Sequence, residues 1–123
     1  MVFEIGEKAV GTPKQVPEDT IIEPGKIYRA VVIFEKEITD EQAIDALEEA
    51  LRSIKSDYPG INISYVKVDG KNVYVEFYDD PPGVPISVII ALIIAAFIAF
   101  GLAVVTKYIY CLLYTSPSPR DRG

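Results

Sequence analysis

From residue 27 the side chains alternate in a period of two. Tyr28, Ala30, Val32 and Phe34 fall on one side of an extended chain, and Arg29, Val31, Ile33 and Glu35 on the other. Such alternation marks a β-strand, predicted here over 27–37. At Thr39 the period changes. Thr39-Asp40-Glu41-Gln42 fits a capping box, in which the Thr hydroxyl accepts from a free N–H and the Gln side chain reaches back to the cap. Asp40 and Glu41 suit the positive end of the helix dipole. Behind the cap, Ile44, Leu47, Leu51, Ile54 and Tyr58 recur at spacings of three and four, the apolar face of one helix. Glu48 and Arg52 support it from the polar face, and Pro59-Gly60 ends it.

Two further alternating runs, 61–68 and 71–78, are joined by Asp69-Gly70. That dipeptide between alternating runs signals a type I′ hairpin, because both central positions need positive φ. The order β-α-β-β predicts a three-stranded sheet with a crossover helix on one face. This is half of a ferredoxin-like plait. With Asp69-Gly70 as the loop, Val66, Val68, Val73, Val75 and Phe77 share one face. Ile61, Ile63, Tyr65, Tyr74 and Tyr78 share the other. One helix covers one face, so the Tyr-rich face is expected either to meet a partner or to be covered by the N-terminal arm.

Residues 1–26 are dense in Gly and Pro and read as an irregular arm. Residues 81–83 form a stiff linker. From Pro81 to Thr106 no residue is charged. Residues 84–106 read as a single transmembrane α-helix: at 1.5 Å per residue, 84–105 would span about 33 Å, against a hydrocarbon core of about 30 Å. Lys107, Tyr108 and Tyr110 then suit an interfacial anchor at 107–110. Within the span Ser87, Ala91, Ala95, Ala99 and Ala103 recur every fourth residue, a small-residue stripe of the kind that lets helix backbones approach in lipid. The fold expected is therefore α+β, a small βαββ domain followed by one membrane helix.

Cys111-Leu112-Leu113-Tyr114-Thr115-Ser116-Pro117-Ser118-Pro119-Arg120-Asp121 resembles a sequencing-library adapter translated in one frame. Residues 111–123 are accordingly set aside as an adapter-derived tail, with the native chain expected to run on past Tyr110.

Charge and composition narrow the chemistry. Residues 1–83 hold 17 acidic against 9 basic side chains, which argues against nucleic acid as a partner. The chain has no His and one cysteine, Cys111. The commonest general base and metal ligand is thus missing, and an intrachain disulfide is impossible. No phosphate-binding glycine loop, nucleophile elbow or Ser-His set is present. The acids at 40, 41, 45, 48, 49, 79 and 80 match no metal-ligand spacing and read as a solvated helix face and a polar joint. No cofactor, metal site or catalytic residue is expected. The N-terminus lacks a signal-peptide pattern.

These readings point to a membrane-anchored interaction or structural module, its partners the lipid bilayer and a second copy or another membrane protein. The alternative is the leading fragment of a polytopic membrane protein such as a transporter or channel. A membrane-bound enzyme working through carboxylates is a third reading.

Overall fold

The computed structural model describes residues 2–23, 25–79 and 84–113. Eight elements follow one another: β1 (Val2–Gly6), β2 (Thr12–Gln15), β3 (Ile27–Phe34), α1 (Asp40–Asp57), β4 (Ile61–Asp69), β5 (Asn72–Asp79), α2 (Ile86–Ala99) and β6 (Val104–Leu113). The six strands form one antiparallel sheet in the order β1-β4-β5-β3-β6-β2. Strands β3 to β6 and the two helices alone make a βαββαβ unit with inner order β4-β5-β3-β6. That is the connectivity of a whole ferredoxin-like plait, where half had been expected. β1 and β2 lengthen it at opposite edges.

The membrane helix is the main correction. Residues 84–106 do not form one helix: α2 stops at Ala99, and β6 begins at Val104. Among the described residues no helix is long and apolar enough to cross a membrane. At 1.5 Å per residue the 14 residues of α2 extend about 21 Å. The stop is a local matter. Gly101 adopts φ +82, its N–H donates to the Ile98 carbonyl, and Leu102 N–H returns to the Phe97 carbonyl. Left-handed glycine after a helix end is a standard termination, because a Cβ is strained there. Beyond it Val104, Val105, Thr106, Tyr108 and Tyr110 favour extended chain, and the segment proposed as an interfacial anchor pairs with β3 (Val32 opposite Lys107, Arg29 opposite Tyr110). Cys111, Leu112 and Leu113, set aside on sequence grounds, continue β6 between β3 and β2.

An all-apolar helix is as well buried by protein as by lipid. α2 turns Ile86, Ile89, Ile90, Ile93, Ala96 and Phe97 inward, all buried. They meet the sheet face carrying Tyr28, Ala30, Val32, Phe34, Val73, Val75, Phe77 and Ile109. Phe97 lies on Phe34 with ring centroids 5.0 Å apart. α1 packs beside α2 in the same core. Its capping box is formed as the sequence implies: Thr39 Oγ1 accepts from Gln42 N–H, and Gln42 Oε1 accepts from Thr39 N–H. The buried stripe, however, is Ala43, Ala46, Leu47, Ala50 and Ile54, whereas Ile44 and Leu51 face outward. Alanines let α1 approach its neighbours closely, and that outweighs the burial of two larger side chains.

The β4–β5 hairpin turns at Gly70-Lys71, one residue later than expected, since Asp69 pairs with Asn72. The two-residue change in pairing sum keeps the face assignment near the turn. A bulge at Ser64 then alters it: Ile63 pairs with Phe77 but Tyr65 with Glu76. An extra residue on one strand shifts alternation by one. Ile61 and Ile63 therefore join the helix-side core, while Tyr65 stays on the other face. The bulge sits against Gly6 (φ +88), where a Cβ would run into the Ser64 carbonyl oxygen.

Candidate functional site

Two surfaces gather the residues singled out by sequence. The first is the outward side of the helix layer. Ala91, Ala95 and Ala99 are exposed on α2, and Ser87 is half-buried at its start. Ala103 lies past the helix, exposed, its carbonyl accepting from Glu35 N–H. Four of the five stripe residues thus share a helix, and the fifth belongs to the turn into β6. Ile98 (55 % exposed) and Phe100 (40 %) flank the alanines, and Ile44 and Leu51 stand out from α1. Between the helices runs a groove of about 300 Å³, floored by Leu92, Ala95, Ala96 and Ala99, with Phe100, Glu49 and Ser53 on its sides. No charge interrupts α2, so its side of the groove is apolar, while α1 borders it with Glu49, paired to Arg52. Exposed apolar surface of this kind is characteristic of an interface.

The second surface is the sheet face away from the helices. β1 and β2 occupy opposite edges, so the chain between them must pass over one face. It passes over this one: Glu7 N–H donates to the Ser64 carbonyl, and Ala9 N–H donates to Glu76 Oε1 at 2.8 Å. The arm expected to be irregular therefore supplies both edge strands and a strap. Under the strap Glu76 is fully buried. Its Oε2 accepts from Arg29 Nε and Nη2 at 2.9 and 2.8 Å. A buried carboxylate with both oxygens engaged is tolerable; alone it would carry a large desolvation cost.

Tyr65 is 4 % exposed and donates its hydroxyl to the Glu4 carboxylate. Burial first, then that hydrogen bond, pushes its pKa up to about 12, since both favour the protonated phenol. Tyr74 is half-buried with Lys67 Nζ 5.9 Å from its ring centroid, and Tyr78 is 39 % exposed. Of the five residues assigned to this face, Tyr65, Tyr74 and Tyr78 are on it, and Ile61 and Ile63 are not. Sequence reasoning passed over Arg29 and Glu76. Their signal was available: two opposite charges at mid-strand positions within alternating apolar runs.

A third feature is Asp79, 6 % exposed, whose Oδ2 has no hydrogen-bond partner among the described residues. Asp80, the linker 81–83 and the tail from residue 114 lie outside the described residues. Among those described, no three His, Cys, Asp or Glu side chains converge on a common point.

The chain matches no family model, no curated protein and no solved structure.

Proposed function

We propose that the protein is an interaction module that self-associates, copy on copy, through the outward face of α2. What supports the reading is one observation: Ala91, Ala95, Ile98 and Ala99 of α2, with Phe100 at its C-terminal cap, form an exposed apolar surface on a helix without a charged residue. The face is self-complementary in kind. Ile98 and Phe100 project, and the alanine-floored groove beside them is open. A two-fold pairing sets the knobs of each copy against the groove of the other, as isologous dimers do. Charge favours the same surface. The chain carries −6 overall, and α2 brings no charge of its own to the contact, while Glu49 at the groove edge is neutralised by Arg52. Small residues let the α2 backbones come close, which gains dispersion contact.

Sedimentation equilibrium across a concentration series tests this. Wild-type protein is expected to dimerise, and Ala95→Glu, a change at an exposed position, to remain monomeric with an unchanged circular dichroism spectrum. A monomeric wild type at high concentration refutes the reading, as does a dimer that survives Ala95→Glu. Flotation with neutral phosphatidylcholine vesicles examines the rival occupant of the face: retention on vesicles by a chain that stays monomeric would assign it to a lipid surface.

A further inference from the structure

A small pocket on the strap side of the sheet collects positive charge in an acidic protein. It has a volume of about 150 Å³ and is lined by Lys8, Arg29, Tyr65, Lys67 and Tyr74. Four separate pieces of chain build it: the strap brings Lys8, β3 brings Arg29, β4 brings Tyr65 and Lys67, and β5 brings Tyr74. None of its lining residues is acidic, and two carboxylates bonded to them or to the strap are already engaged. Glu76 is buried beneath, with both oxygens already accepting from Arg29 and Ala9. Glu4 is held by the Tyr65 hydroxyl. Neither Lys8 nor Lys67 is ion-paired among the described residues. Three of the five lining residues are cationic, although the chain as a whole carries −6.

We propose that this pocket binds a small oxyanion of the phosphate class, as free phosphate or as the head of a phosphate monoester. The Lys8 and Lys67 ammonium groups supply charged donors from two sides. The Arg29 guanidinium is fixed by Glu76 through Nε and Nη2, which pre-orients it at little further entropic cost. A water takes roughly 30 Å³ of liquid, so the pocket has room for one phosphate group and few waters. The Tyr65 and Tyr74 rings line the remaining wall, which is where the organic part of an ester would rest. The strap makes the site conditional on the fold, because Lys8 is placed by the bonds on either side of it, Glu7 N–H to the Ser64 carbonyl and Ala9 N–H to Glu76.

The test is a titration of the full chain with sodium phosphate at constant ionic strength, followed by ¹H–¹⁵N amide shifts, and repeated with phenyl phosphate. Saturable shifts at Lys8, Lys67 and Tyr74 are expected. Lys8→Ala and Lys67→Ala are each expected to weaken binding about tenfold, as loss of one charged hydrogen bond does. Lys55→Ala, on the exposed face of α1, is expected to change nothing. Tighter binding of phenyl phosphate assigns an ester, and equal binding assigns the free ion. Shifts that do not saturate overturn the proposal. So does a Lys55→Ala effect as large as that of Lys67→Ala, because the response would then be general screening of charge.

Discussion

Phe97→Ala is the sharpest probe of whether α2 belongs to a protein core. Phe97 is fully buried and packs on Phe34 at 5.0 Å between ring centroids, with the rings tilted by 42°. Truncating a buried Phe loses its transfer free energy and leaves a cavity, together about 3–5 kcal/mol. The aromatic pair accounts for about 0.5–1.5 kcal/mol beyond area alone. The neighbouring Ile98 is 55 % exposed, so Ile98→Ala is expected to stay within about 0.5 kcal/mol. Urea unfolding of the two variants in detergent-free buffer, followed by circular dichroism at low protein concentration, reads the difference directly. Since a domain of this size holds about 5–15 kcal/mol in all, Phe97→Ala is expected to move the midpoint far. Should it leave no folded baseline, Phe97→Leu gives the same ordering with a smaller loss. Similar small costs for Phe97→Ala and Ile98→Ala would refute the packing, because a helix surrounded evenly by lipid has no reason to distinguish adjacent apolar positions.

Two further outcomes follow from the strap side of the sheet. Glu76→Gln removes the charge that holds Arg29, itself 15 % exposed at its side chain. An expected loss of about 2–3 kcal/mol, discounted for that exposure, is measured by urea unfolding and accompanied by faster amide exchange at Ala9. Tyr65, with its pKa raised to about 12, favours the protonated phenol in the folded state. Its contribution is complete below the ordinary tyrosine value of about 10 and is lost as pH climbs through the raised one. Burial also raises the Tyr28 phenol, so an absorbance titration is expected to show a late-ionising component that Tyr65→Phe diminishes rather than abolishes.

Local chemistry was legible in the sequence wherever neighbours along the chain decide the structure. Thr39 and Gln42 form the capping box that their spacing implies, and the alternation of Tyr28, Ala30, Val32 and Phe34 lies on the core side as a strand should. The limits lay where distant segments decide. Nothing in 61–68 announces the bulge at Ser64, which faces Gly6 from another strand. Ile61 and Ile63 were therefore placed on the wrong face. In α1 the reading weighted side-chain size, and the contact with α2 weighted closeness, which exchanged Ile44 and Leu51 for alanines. For 84–106 hydropathy reports only that water is excluded. It does not say whether lipid or a sheet excludes it. The cue that could have divided the run was Gly101 followed by Val104, Val105 and Thr106, a helix stop and then β-branched residues. Of the two surfaces proposed for binding, the alanine stripe was visible as a pattern, and the cationic pocket was not, because its residues come from four parts of the chain.

The sheet order also sets a timetable for biosynthesis. The sole neighbour of β2 in the sheet is β6, although β2 is near the start of the chain and β6 near its end. A ribosome adds about 5–20 residues per second, so residues 12–15 wait on the order of ten seconds for the strand that completes them. During that interval the outer edge of β3 is open as well, and α2 has emerged with its apolar surface uncovered. The nascent chain is thus most open to aggregation and to chaperone capture while β6 has yet to pair, and residues 12–15 are held in the sheet only by that strand.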